Sequence, residues 1–198
     1  MKTLPFEQLK QLLEAAIFTT GKPMSVAKLK STVLANYRVN YKVINQALDE
    51  LVTEYQPRGV NLVQVGSGFR FQAVSQFAED IAMMFEEKAP RYSRALLETL
   101  ALIAYRQPIT RGEIEDIRGV AVSSHITKTL LEREWIHVVG HKEVPGRPAM
   151  YATTTAFLDY FSLKSLAQLP ELLPINESSP ENEDITQQKE TETSAENS

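Results

Sequence analysis

The sequence predicts an α+β fold, mainly α: tandem winged helix-turn-helix domains with short β-hairpin wings and a disordered acidic C-terminal tail. Three observations carry this. First, three segments of helical period followed by two segments of period two occur twice along the chain, each copy spanning about eighty residues. Second, 198 residues at 43% hydrophobic content can close two small cores. Third, from Asn176 onward the composition is Asn, Glu, Ser, Thr and Gln with hardly an apolar residue, too little to offset the entropy of ordering. The expected boundaries are 1–88 for the first domain, 89–175 for the second and 176–198 for the tail, with Glu87-Lys88-Ala89-Pro90-Arg91 as the linker.

The first helix is expected from Phe6 to Phe18, where Leu9, Leu12, Leu13, Ala16 and Ile17 recur at three and four, and Gly21 and Pro23 end it. Ser25 can cap a short helix through Val33, and Asn40 can cap the third, with Val43, Ile44, Ala47, Leu48, Leu51 and Tyr55 along one face. After Pro57-Arg58-Gly59 the period falls to two. Val60, Leu62, Val63 and Val65 read as a strand, Gly66-Ser67-Gly68 as a turn, and Phe69, Phe71 and Ala73 as the return. Ser75 is expected to cap a further helix to about Glu87.

The order then repeats. A helix runs from Ser93 to Arg106 and Pro108 breaks it. Thr110 opens a second helix with Glu113 three residues on, the capping-box spacing, and Gly119 closes it. Ser123 or Ser124 starts the third, through Glu134. Trp135 to Gly140 is strand-like, Pro145-Gly146 suits a type II turn, and Met150-Tyr151-Ala152 returns.

Charge narrows the function. Residues 1–90 carry a net +1, residues 91–170 a net +2 and residues 171–198 a net −7. The third helix of each unit would enter the major groove of a sequence reader. The first sets Lys42 against Asp49, Glu50 and Glu54; the second sets His125, Lys128 and Arg133 against Glu132 and Glu134. Neither offers the basic face that phosphate demands, although Asn45 and Gln46 are base-reading types. A dimeric winged helix transcription regulator, contacting DNA through Arg70, Lys142 and Arg147 on the hairpins, is the alternative function.

Other chemistry is sparse. There is no cysteine, which excludes disulfides and thiolate metal sites and suits a reducing compartment. His137 and His141 are four apart on one strand and can share a face, but no third ligand completes a metal set. Glu113, Glu115 and Asp116 sit where negative charge suits a helix N-terminus. Gly66-Ser67-Gly68 lacks the lysine and following helix of a phosphate loop. The N-terminus is a poor signal peptide and no run of eighteen uncharged apolar residues occurs, so a cytoplasmic protein without cofactor is expected. Two helices carry surplus apolar residues. In the Ser93 helix Leu96, Leu97, Leu100, Ala101, Ile103 and Ala104 fill one face, with Leu102 and Tyr105 on the other. In the Ser75 helix Phe77, Ala78, Ile81, Ala82, Met84 and Phe85 form a stripe, with Met83 projecting among acids.

Three runs, LLETLALIAYRQPITRGEIEDIRGV (96–120), LLEREWIHVVGHKEVPGRPAMYATT (130–154) and FLDYFSLKSLAQLPEL (157–172), resemble the bacterial segregation and condensation protein B family. LLEAAIFTTGKPMS (12–25) and GFRFQAV (68–74) agree more loosely. The resemblance implies a non-enzymatic accessory subunit of a condensin-like complex, nucleoid-associated, that dimerises mainly through its N-terminal domain. It implies binding of the kleisin, segregation and condensation protein A, which bridges the heads of an SMC ATPase; contact with the ATPase is then indirect and contact with DNA weak or indirect. On that basis the candidate kleisin-binding residues are Leu102, Tyr105, Arg106, Arg111 and Arg147, and the candidate self-association residues are Met83 and Phe85.

Overall fold

A computed structural model describes residues 2–85 and 91–171. It is a mixed helix-and-sheet structure with two small antiparallel sheets. The N-terminal half runs α1 (Phe6–Thr20), α2 (Val26–Ser31), α3 (Tyr41–Tyr55), β1 (Val60–Val65) and β2 (Gly68–Ala73). The starts of α2 and α3 are fixed locally. The Ser25 side chain accepts from Lys28 N–H and the Asn40 side chain from Val43 N–H, each satisfying one of the donors a helix start leaves open. Gly21 ends α1 in the left-handed region at φ 61°. The apolar faces of α1, α2 and α3 meet in one cluster, with Leu9, Leu13, Leu29, Ile44 and Leu48 fully buried and Leu62 and Phe69 of the hairpin closing it.

A 3-10 turn (Ser75–Phe77) and a short helix α4 (Ala78–Ala82) follow. Here the expectation of one long helix capped by Ser75 is corrected: the Ser75 side chain caps nothing, the helix ends at Ala82, and no residue of either element is buried. Five residues without a packing surface do not offset the cost of helix nucleation. Met83, Met84 and Phe85 are 80%, 79% and 65% exposed, so the projected stripe is an open apolar turn. Glu86 and Glu87 lie outside the described residues.

The C-terminal half runs α5 (Arg94–Arg106), β3 (Ile109–Thr110), α6 (Arg111–Arg118), α7 (Ser124–Glu132), β4 (Ile136–His141), β5 (Ala149–Thr153) and α8 (Thr155–Tyr160), then a 3-10 turn at Leu166–Gln168. Ser93, Thr110 and Ser123 cap their helices, and Gly119 closes α6 at φ 69°. The sheet order is β3-β5-β4. The strand β3 was not anticipated: two residues after Pro108 carry no period, and only pairing with Met150 and Tyr151 defines them. A second cluster gathers Leu100, Ile103, Ile114, Leu130, Trp135, Ile136 and Phe157.

Between Val138 and Gly140 strand β4 carries a bulge. His137 pairs with Ala152 and His141 with Ala149, three apart on β5, so the extra residue turns the two histidines to opposite faces. The shared face expected from their spacing does not form. Among the described residues no group of three or more potential ligands lies together.

The two halves touch at the tip of the first hairpin. Asp159 on α8 accepts the Ser67 backbone N–H at 2.9 Å and the Ser67 hydroxyl at 2.6 Å. Arg70 donates to the Ser162 hydroxyl at 3.0 Å, which in turn donates to Gln72 at 3.2 Å. Gly66 faces Leu158 so closely that a Cβ would come within 2.7 Å of it. The partners are the hairpin turn and strand β2 on one side and α8 with the turn after it on the other, so the contact rests on few groups.

Candidate functional site: an apolar groove on α5

The C-terminal half carries an apolar groove along α5. Leu100 and Ala104 form the floor of a groove of about 280 Å³, Leu97 and Tyr105 stand on the α5 side, and Phe157, Phe161, Leu163 and Leu169 form the opposite wall. Its opening is hydrophobic: Leu97 is 42% exposed, Phe161 is 38% exposed, and Ala101 is exposed between them. The far wall exists because Thr154 caps α8, accepting from Phe157 N–H, and Ser162 turns through φ 56° after it. Leu163 N–H then bonds Leu158 C=O at 2.8 Å, and the chain returns across α5. Gln168 accepts from Lys164 N–H at 2.6 Å, and the Tyr105 hydroxyl donates to Pro170 C=O at 2.6 Å. The segment Leu163–Pro170 is thus a strap held at both ends.

The residues expected to bind the kleisin separate in space. Tyr105 lines the groove, with its hydroxyl engaged by the strap. Leu102 is half-buried against the second core cluster, whereas Leu97 and Ala101 are the exposed apolar residues of α5. Leu96, Leu100, Ile103 and Ala104 are buried as the sequence assigned them, and only Leu97 and Ala101 depart from the expected packed face. Arg106 is exposed and borders a different, shallow cleft with Pro108, Glu113 and Asp116. Arg111 is already paired: its Nε lies 2.9 Å from Glu115 and its Nη1 donates to Ser124 Oγ at 3.1 Å. Arg147 sits exposed beside Gly146 in the second hairpin turn, at φ 38°, with Glu143 at 3.5 Å. Met83 and Phe85 stand far along the chain from all of these, on the open turn after α4.

The carboxylates around α6 are structural. Glu113 closes the capping box, accepting from Thr110 N–H and Thr110 Oγ at 2.8 Å each, and receives Lys142 Nζ at 2.6 Å. The Lys142 bond first, then the Thr110 donors, hold its carboxyl well below the ordinary value, at about 2. Glu115 accepts from Val122 N–H and Arg111, which lowers it too and ties the α6–α7 loop. Because the folded value of Glu113 is depressed, its stabilisation is present above the unfolded value of about 4.3 and is lost as pH falls toward 2. Glu113→Ala is therefore expected to cost about 1 kcal/mol at pH 7, the usual scale of a lost cap, with the ion pair discounted for exposure. Thermal melts of wild type and variant should converge between pH 4.5 and pH 2; a constant gap would refute the assignment.

On α3, Glu50 and Glu54 are held by Lys10 of α1, whose Nζ lies 3.4 Å and 2.5 Å from them and 3.4 Å from Glu7. The Glu54 hydrogen bond chiefly raises the Lys10 amine above its ordinary value, against the opposing effect of burial. Two of the three acids that make this helix a poor base reader, Glu50 and Glu54, are thus fastened to its own bundle.

Known proteins share this sequence closely. The family described as segregation and condensation complex subunit ScpB matches residues 11–172. The segregation and condensation protein B homolog of Coxiella burnetii is 53% identical over 163 residues, covering 82% of this chain and 78% of the relative. The segregation and condensation protein B of Desulforamulus reducens is 41% identical over 174 residues, 87% and 93% of the two chains. The crystal structure of ScpB from Mycobacterium tuberculosis is 29% identical, covers 81% of this chain and 98% of that one, and superimposes with a TM-score of 0.37. Among the described residues no helix is long and apolar enough to cross a membrane. The chain belongs to the segregation and condensation protein B family.

Proposed function

We propose that this protein is a non-enzymatic, cytoplasmic accessory subunit of an SMC–kleisin complex, built as two tandem winged helix domains over 1–88 and 89–175 with an acidic tail beyond. It captures a segment of the kleisin ScpA as a homodimer and reaches the SMC ATPase only through it. The observation that carries this is the α5 groove: an open, almost wholly apolar slot fits the side of a short hydrophobic helix or strand rather than a polar metabolite. Leu97, Ala101 and Tyr105 supply the contact. Arg106, on the neighbouring cleft and with no carboxylate within 4 Å among the described residues, offers a charge outside the groove for an acidic kleisin residue. Arg147 and Leu102 are secondary, and Arg111 contributes by fixing the α6–α7 loop. A dimer presents two grooves, so one tethered kleisin gains from both. The test is co-elution of the full chain with the central ScpA segment: a stable complex is expected, and separate elution at micromolar concentrations would end this reading.

Self-association is placed on the apolar turn after α4, where Met83 and Phe85 expose large side chains in one short stretch. Met83→Glu with Phe85→Glu is expected to halve the mass seen by light scattering. An unchanged mass would move the dimer contact elsewhere.

A further inference from the structure

Between Glu14 and Asp49 the chain contains no acidic residue but five cations, Lys22, Lys28, Lys30, Arg38 and Lys42. The fold gathers part of this set with Lys2 on one surface. Lys2 and Arg38 are neighbours through paired backbones, Lys2 N–H bonding Asn36 C=O at 2.9 Å and Arg38 N–H bonding Lys2 C=O at 3.0 Å. Lys30 and Arg38 border the same shallow cleft before α3, and Lys30 Nζ sits 4.0 Å above the ring of Tyr41; Lys42 follows Tyr41 in the chain and stands at the start of an open cleft along α3 that runs on to Asp49, Glu50 and Glu54. Lys2, Arg38 and Lys42 are exposed and Lys30 is half-exposed. None has a carboxylate within 4 Å among the described residues, although Lys10, Arg94, Arg111, Arg118, Lys128, Lys142 and Arg147 all do. The near balance of charge over α3 therefore resolves into two ends. Lys42 and Asp49 are seven residues apart, roughly 10 Å along the axis, which is one Debye length at about 0.1 M salt. The acids at the far end, two of them already covered by Lys10, do not cancel the cations at the near end.

We infer that this patch, formed by Lys2, Lys30, Arg38 and Lys42, binds the phosphate backbone of duplex DNA without reading its sequence. Four unpaired cations on one surface suit an extended polyanion, and duplex DNA presents one charge per about 1.7 Å of its axis. A single-stranded ligand would need free aromatic faces for stacking. Lys30 sits over one face of the half-exposed Tyr41 ring and Tyr37 is half-buried, so the patch has no row of free faces on which successive bases could stack. Such contacts position rather than specify, which is why no base-reading helix is required. The patch lies on the opposite half from the α5 groove, so this inference stands or falls separately from kleisin capture.

Anisotropy of a labelled duplex of about 30 base pairs titrated with the full chain tests it. Four phosphate contacts give a slope of log K against log salt of about −3.6, a loss of about 10²-fold between 50 and 200 mM salt. Lys30→Glu/Arg38→Glu/Lys42→Glu is expected to flatten the slope and weaken binding at least 30-fold at 50 mM, while Lys128→Glu on α7 leaves it unchanged. Should the triple variant fold poorly by circular dichroism, Lys2→Gln/Lys42→Gln should remove about 1.8 from the slope. Undiminished binding by the folded variants overturns the assignment, as does absence of wild-type binding at 50 mM. So does a tenfold preference for single strands, or tighter binding of a labelled peptide of residues 176–198 than of the duplex.

Discussion

Gly68→Ala is expected to destabilise the N-terminal half by about 3 kcal/mol, lowering its melting temperature by on the order of 10–20 °C. Two costs act together. Gly68 adopts φ 148°, a region closed to side chains, and a Cβ there would lie 2.3 Å from the Met24 carbonyl carbon and oxygen and 2.5 Å from Ser25 N. Those neighbours are backbone, held by the Met24 N–H bond to Phe69 C=O at 2.9 Å and the Phe69 N–H bond to Met24 C=O at 3.0 Å, so no flexible group can yield. Gly21→Ala is the control: φ is 61° and nothing lies within 4 Å, so only the conformational cost of about 1 kcal/mol applies. Calorimetry should show the first substitution costing clearly more than the second. Equal losses would mean that the hairpin does not close on Met24 as described.

Leu97→Asp with Ala101→Asp is expected to weaken kleisin binding by more than 30-fold while leaving the fold intact. Both positions face outward on α5, so no core contact is removed. A carboxylate set into an apolar slot must be desolvated when the partner docks, at about 2 kcal/mol or more without a hydrogen bond to compensate. Leu102→Asp should behave in the opposite way, lowering stability because Leu102 packs on the second cluster. Titration calorimetry alongside thermal melts separates the two outcomes. Equal affinity for wild type and the groove variant would remove α5 from the interface.

The local features of this fold were legible in sequence. Ser25, Asn40 and Thr110 cap the helices they were expected to cap, because a cap depends on a few adjacent residues. The first hairpin turns at Gly66-Ser67, within the turn expected at Gly66-Ser67-Gly68. The long-range features were not. Strand β3 is too short to show a period, and the bulge that separates His137 from His141 arises only in pairing. The groove depended on the strap: Thr154 before Phe157, Leu158 and Phe161 is a cap-and-face signal in its own right, yet where that helix lands on α5 is a tertiary outcome. For that reason Leu97 looked buried and is exposed, and Leu102 is half-buried against the second cluster. Arg111 looked free although Glu115 lies one turn on along the same helix, a spacing legible in sequence; Ser124 meets it only once the α6–α7 loop closes.

Photocrosslinking locates the partner most directly. With Ala101→p-benzoylphenylalanine in the full chain and purified ScpA present, irradiation is predicted to give a one-to-one adduct mapped by mass spectrometry to an apolar stretch of the kleisin. Position 128, on the outer face of α7, should give none. Adducts absent at 101 but abundant from position 83 would contradict the account, placing kleisin capture on the N-terminal half and leaving the α5 groove without its occupant.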